Sequence, residues 1–266
     1  MEKPHDRPAV ADIPAHAADV SIYDDNGALR SSFVAHIGAA IADRDTLTLN
    51  RDVGALHESE VGDLLETLSA DQRHALVGLM GKDFDFSALT EVDEAIRLDI
   101  VESMPDEQIA QAVQELDSDD AVYILEDLDD DDREAILAKL PFTERVRLRR
   151  ALDYPDESAG RRMQTEFVAV PPFWTVGQTI DYMREDNNLP ESFSQIFVID
   201  PSFRLLGAID LDRILRTRRT FRVEEIMHET RHAIPATMDQ EEAAHEFEQY
   251  DLLSAAVVDE NERLVG

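Results

Sequence analysis

The sequence predicts a multidomain chain: an α-solenoid of short helices followed by an α/β half. Three observations carry this. Apolar residues recur every twelve positions from Leu56 to Leu152. From Met163 onward, strand-like runs and helical patterns alternate in one order that occurs twice. The change of pattern falls at a polar junction, Tyr154-Pro155-Asp156-Glu157-Ser158-Ala159-Gly160-Arg161-Arg162-Met163.

Residues 1–30 are rich in Pro, Ala, Asp and His without apolar periodicity, which predicts disorder. A first helix is expected over Ser31 to Ala42, within a solenoid spanning 31–153. The repeat anchors are Leu56, Leu68, Met80, Val92, Met104, Leu116, Leu128, Leu140 and Leu152, and the positions eight and nine beyond each are mostly apolar too. One long helix cannot produce this pattern. At about 100° per residue, twelve residues turn about 1200°, so successive anchors would rotate by ~120° and leave any common stripe. The chain must break once per repeat. The break signals are a capping box at Ser69-Ala70-Asp71-Gln72, Pro105 in a first turn, and N-caps at Ser118 and Asp129.

Charge separates function classes. The chain has 58 acidic against 25 basic residues, a net charge of −33. Such a surface repels nucleic acid and anionic lipid and attracts cations. Lysine occurs only at Lys3, Lys82 and Lys139, a bias that salt adaptation or codon usage also produces, so the placement of carboxylates must carry any metal argument. For most of the acids at helix starts, capping and the helix dipole suffice. Glu126 to Asp132 is different: six acids in seven residues exceed what one cap needs, and a divalent cation would relieve their repulsion. Cysteine is absent, which excludes disulfides and thiolate metal sites. With no nucleophile elbow, P-loop or HExxH motif, no enzymatic activity is expected. No apolar run approaches the ~18 residues of a membrane span, and no signal peptide is read at the start.

In the second half, Phe167 to Val170 reads as a strand, Thr175 to Glu185 as a capped helix, and Gln195 to Asp200 with Leu205 to Asp210 as a hairpin. A helix from Leu211 follows. The order repeats with Val223 to Met227, His232 to Pro235, a helix from Asp239 to Tyr250, Ser254 to Asp259, and Arg263 to Gly266. The sequence stops inside this last hairpin, which would leave ladder groups unpaired, so a fragment of a longer protein or a truncated gene is expected. The segments "FVIDPSFRLLGAIDL" (Phe197 to Leu211), "EIM" (Glu225 to Met227) and "VVDENERLVG" (Val257 to Gly266) resemble paired CBS (cystathionine-β-synthase-type) modules. With the junction "YPDESAGRRMQTEFVAV" and the acidic solenoid before it, the chain from about Leu56 resembles the cytosolic region of MgtE-type magnesium channels.

That resemblance implies an N domain, a linker over 154–163, a first CBS module over 164–222 and an incomplete second over 223–266. It implies regulatory Mg2+ between N domain and CBS pair, with Asp119 and its neighbour Asp120 on one side, and Asp239, Glu241 and Asp251 on the other. A family ligand near Ser87 is missing, with Asp83 and Asp85 close by. A homodimer through the CBS modules, a five-helix membrane pore beyond Gly266 and a place on the cytoplasmic face of the membrane are implied as well. The junction, as the covalent connection between two acidic bodies, is expected to act as a hinge. The residues that touch ribose in nucleotide-binding CBS pairs are here Asp210 and Arg213, which depart from that pattern, so ATP binding is not expected. The alternatives are a nucleotide-sensing CBS adaptor without a channel, and a protein-binding solenoid from a salt-adapted cell.

Overall fold

The computed structural model describes residues 22–186, 189–190, 192–230 and 232–266. Within them, Ser31–Ala42 (α1) and Thr46–Asp52 (α2) precede the repeat region. The repeat then appears as helices Glu58–Thr67 (α3), Ala70–Met80 (α4), Glu94–Glu102 (α5), Asp106–Glu115 (α6), Ser118–Glu126 (α7), Asp130–Leu137 (α8) and Phe142–Leu152 (α9). Their first residues keep the twelve-residue step, with one interruption between α4 and α5. There the chain forms 3-10 turns at Gly81–Asp83 and Phe86–Glu91. Gly81 turns at φ 56°, and Phe84 and Phe86 pack edge to face with ring centroids 5.1 Å apart in the core. Two aromatic side chains thus replace one helical turn.

Every anchor from Leu56 to Leu152 joins one continuous apolar core that also holds Ile37, Leu64, Leu76, Ile100, Leu125 and Ile136. The capping box at Ser69 forms, with Gln72 accepting from the Ser69 N–H at 3.1 Å. Asp129 takes the N-cap position, whereas Ser118 does not: Asp117 precedes α7 as N-cap and Ser118 is its first helical residue. Pro105 likewise stands one position before the helix.

Residues 22–30, expected to be disordered, instead make a small turn. Tyr23 bridges Leu29, Asp24 Oδ1 accepts the backbone N–H groups of Asn26 and Ala28, and the Tyr23 hydroxyl donates to Asp63 at 2.6 Å. Residues 1–21 lie outside the described part of the chain.

The second half starts with a four-residue helix, Ala159–Arg162 (α10). Ala169–Val170 (β1), Gln195–Ile199 (β2) and Leu205–Asp210 (β3) then form a sheet in the order β1-β2-β3, parallel then antiparallel, with Val176–Glu185 (α11) and Leu211–Arg216 (α12). The order recurs with Val223–Ile226 (α13), Ile234–Pro235 (β4), Gln240–Tyr250 (α14) and Val257–Val258 (β5), β4 and β5 being parallel. The strands expected over 167–170 and 254–259 are thus only two residues each. The two modules are tied together: Arg204 bridges Arg263, and the Leu264 N–H donates to the Phe203 carbonyl at 2.8 Å. Gly266 accepts from the Val257 N–H at 2.8 Å, so these last residues are paired. Among the described residues no helix is long and apolar enough to cross a membrane.

The junction is not a free linker. The Ala159 and Gly160 N–H groups donate to the carbonyls of Met238 and Ala236, each at 2.8 Å. Ser158, Ala159 and Arg161 are buried, and Tyr154 and Met163 pack with Ala236, Val257 and Val265. Residues 158–163 are therefore built into the second module, and the Glu157 carbonyl just before them accepts the Gln240 N–H at 2.7 Å.

Candidate functional site

The site lies where the start of α7 meets the segment entering β1. Four residues, Asp117 to Asp120, begin α7, where backbone N–H groups and the helix dipole favour negative charge. Ser118 is 3% exposed and acts as the clamp. Its hydroxyl accepts the Thr165 N–H at 2.8 Å and donates to Glu166 at 2.7 Å. Arg147 of α9 holds the same Glu166 carboxylate at 2.8 Å. The Gln164 amide donates to Asp117 at 3.2 Å.

Asp119 reaches the edge of a cleft of about 340 Å3 that is otherwise lined by the second half, with Arg162, Gln164, Glu166 and Gln240 among its polar residues. Its Oδ1 is enclosed and meets no hydrogen-bond partner among the described residues. Burial raises the Asp119 carboxyl above the usual carboxylate range, and repulsion from Asp117 and Glu166 adds to this against backbone hydrogen bonds. Asp120 is pushed up to about 6, first by burial and then by Asp119, Asp117, Glu58 and Asp85. Both shifts mean that the folded chain disfavours these charges. For Asp120 that cost is absent below the unfolded carboxyl pKa of about 3.9 and fully present above about pH 6. A hard cation would remove it, because carboxylate oxygens and retained waters are its preferred ligands.

The other expected ligands are placed differently. Asp239 is exposed and caps α14, its carboxylate accepting the Glu241 N–H at 2.8 Å. Glu241 is an exposed first-turn acid of the same helix. Between them, Gln240 reaches the Asp119 cleft and accepts from Arg162 at 3.0 Å. Asp251 ends α14 in the left-handed conformation, at φ 50° and ψ 43°, and lines a separate cleft with Asp210 and Asp212. Asp119 and Asp120 are thus adjacent, Asp239 and Glu241 sit at one end of α14 and Asp251 at its other. Among the described residues no group of three or more His, Asp or Glu could hold a metal ion by itself.

The cluster from Glu126 to Asp132, expected to need a divalent cation, is partly neutralised by arginines. Glu126 receives Arg162 at 2.5 Å and lies 3.8 Å from Arg161. Asp127 receives Arg97 at 2.5 Å, Arg133 pairs with Asp130, and Asp129 to Asp132 are exposed at the start of α8. Arg162 also stands over the Tyr123 ring, 5.2 Å from its centroid, so one guanidinium joins α7 to α14 across the seam. Ser118, Glu166 and these arginines carry the interface, and nothing local in the sequence marks their pairing. Arg216, Arg219 and Arg222 form ion pairs with Asp212, Asp181 and Glu224.

Residues 56–157 match the MgtE intracellular N domain, and residues 159–219 and 223–266 match the CBS domain. The Magnesium transporter MgtE of Bacillus subtilis (strain 168) is 29% identical over 202 residues, which is 76% of this chain and 42% of that protein. The Magnesium transporter MgtE of Thermus thermophilus is 38% identical over 114 residues, 42% of this chain and 25% of that protein. The chain therefore spans less than half the length of these curated relatives. A crystal structure described as the cytosolic domain of the Mg2+ channel MgtE in complex with ATP superposes with a TM-score of 0.80 at 25% identity, covering 88% of this chain and 95% of that one. The soluble part of a magnesium transporter follows the same fold, with a TM-score of 0.74 at 24% identity, covering 88% and 93%.

Proposed function

From the membership of this chain in the MgtE family, an MgtE N domain followed by paired CBS domains, we propose that it is the Mg2+-sensing and gating region of a magnesium channel. The observation that carries this is the Asp119 carboxylate of the N domain, its Oδ1 enclosed and without a hydrogen-bond partner among the described residues, at the edge of a cleft in the CBS pair. The polar groups that share this cleft are the carboxylates of Asp119 and Glu166, the amides of Gln164 and Gln240 and the Arg162 guanidinium, and carboxylate and amide oxygens are the ligands a hard cation prefers. Bound Mg2+ supplies positive charge at this acidic seam. Asp119 and Asp120 are the N-domain ligands; on the CBS side Asp239 and Glu241 supply carboxylates at the start of α14, and Asp251 at its other end supplies one in the separate cleft beside Asp210 and Asp212. Ser118, Glu166 and Arg162 set the docked arrangement, which corresponds to the closed pore. At low Mg2+ the mutual repulsion of the acids parts the halves about the junction. Linkage requires only that the docked state bind Mg2+ more tightly than the parted one. In the full-length protein this region would form a homodimer through its CBS modules on the cytoplasmic face of the membrane and connect to a pore domain.

Calorimetric Mg2+ titration of the chain tests the assignment. Wild type is expected to bind with an apparent affinity that falls about twofold between pH 7.5 and pH 6, because Asp120, titrating at about 6, must release its proton. Asp119→Asn with Asp120→Asn is expected to lose this binding while melting no lower than wild type in metal-free buffer, since the folded chain disfavours both charges. Unchanged binding in that double variant would exclude these residues as ligands.

A further inference from the structure

A second groove, of about 460 Å3, runs between α9 and the hairpin turns of the two CBS modules. Its charge is opposite to that of the rest of the chain. In a protein with net charge −33, three guanidinium groups, Arg147, Arg150 and Arg263, line this groove with one carboxylate, Asp259, although Arg147 is also held by Glu166 at 2.8 Å from beside it. Asp259 is largely committed elsewhere. Its Oδ1 accepts the turn N–H groups of Asn261 and Arg263 at 2.9 Å each, and Arg150 stays 3.7 Å from its Oδ2. Arg263 makes no ion pair among the described residues.

The apolar side of the groove is also unusual. Phe203 occupies the hairpin-turn position with φ 64°, a left-handed conformation that bulky side chains rarely adopt. Despite that backbone cost it is 55% exposed, and Val146 opposite it on α9 is 50% exposed. An aromatic ring held open beside three arginines presents a stacking face next to forked oxyanion donors.

We infer that this groove is a binding site for a small aromatic phosphate, its ring against Phe203 and Val146 and its phosphate between Arg150, Arg263 and Arg147. The volume lies in the range of small-ligand sites, about 300–1,000 Å3. A ligand there touches the N domain and both CBS hairpins at once, so it favours the docked arrangement. That consequence rests on the gating role proposed above, whereas the site itself does not.

Calorimetry on the whole chain in divalent-free buffer at low ionic strength tests the site, with phenyl phosphate, inorganic phosphate and phenol as probes. Phenyl phosphate is expected to bind at least tenfold more tightly than either fragment. Arg150→Gln and Phe203→Asn are each expected to weaken it at least tenfold, asparagine being tolerated in the left-handed turn. Asp212→Asn, in the separate cleft beside Asp251, is expected to leave it unchanged. Arg263→Gln repeats the test without touching α9. Absence of phenyl phosphate binding, equal binding of inorganic phosphate, or binding indifferent to all three groove variants would overturn the site. Since no divalent cation is present, none of these outcomes bears on Mg2+ sensing.

Discussion

Replacing Arg97 by alanine is expected to destabilise the N-terminal half by roughly 3–5 kcal/mol, read as a lower denaturant midpoint by circular dichroism. Arg97 is 3% exposed inside the solenoid. Its guanidinium donates to Asp127 at 2.7 Å and to the Leu89 and Val92 carbonyls at 3.2 and 3.3 Å, and lies 4.3 Å from the Tyr123 ring centroid. Those two carbonyls belong to the stretch where 3-10 geometry replaces a repeat helix, so Arg97 satisfies groups that an α-helix would have paired internally. Truncation leaves them and the Asp127 charge buried without a partner. Asp127→Asn introduced with Arg97→Met removes the unpaired charge and is expected to recover part of the loss. A midpoint within 0.5 kcal/mol of wild type, on the order of a neutral surface change, would show that the ion pair contributes nothing.

Gly160→Ala is expected to cost roughly 1–3 kcal/mol and to release the junction from the second CBS module. A Cβ at position 160 would sit 2.7 Å from Tyr154 Cγ and 2.8 Å from the Ala236 carbonyl oxygen. The oxygen is backbone and already accepts the Gly160 N–H at 2.8 Å, so it has little room to yield. Relief must come from moving Tyr154 or the junction itself. The variant should melt at a lower temperature and become sensitive to trypsin at Arg161 and Arg162, which the wild type keeps wholly or partly buried. Wild-type cleavage rates and melting would show that the junction is not clamped there.

How far these features were legible in the sequence depends on their range. The twelve-residue step located the helix starts because each break has a local cause: a cap, a proline or a run of acids. It missed the 3-10 stretch because Phe84 and Phe86 fill the core in place of a helix, a packing choice that periodicity does not encode. The two-residue strands were read too long, since apolar alternation marks which face is buried and not how much backbone is paired. The linker over 154–163 came from the family resemblance, and no local pattern in the sequence shows how it packs. Some of its buried polar groups pair locally, Ser158 with the Pro155 carbonyl at 2.6 Å and the Arg161 Nη2 with Asp156 at 2.5 Å. Asp119 was picked out, yet its clamp was not. Ser118 and Glu166 are 48 residues apart, and Glu126 and Arg162 are 36 apart, separations that no local pattern reports.

The central claim is that Mg2+ draws the acidic N domain onto the acidic CBS pair. Small-angle X-ray scattering of the chain during a millimolar Mg2+ titration, against Na+ at matched ionic strength, measures this directly. The predicted result is a radius of gyration that falls with Mg2+ and not with Na+, and a response lost when Asp119 and Asp120 are both changed to asparagine. Superimposable Mg2+ and Na+ curves, or an intact Mg2+ response in the double variant, would contradict it.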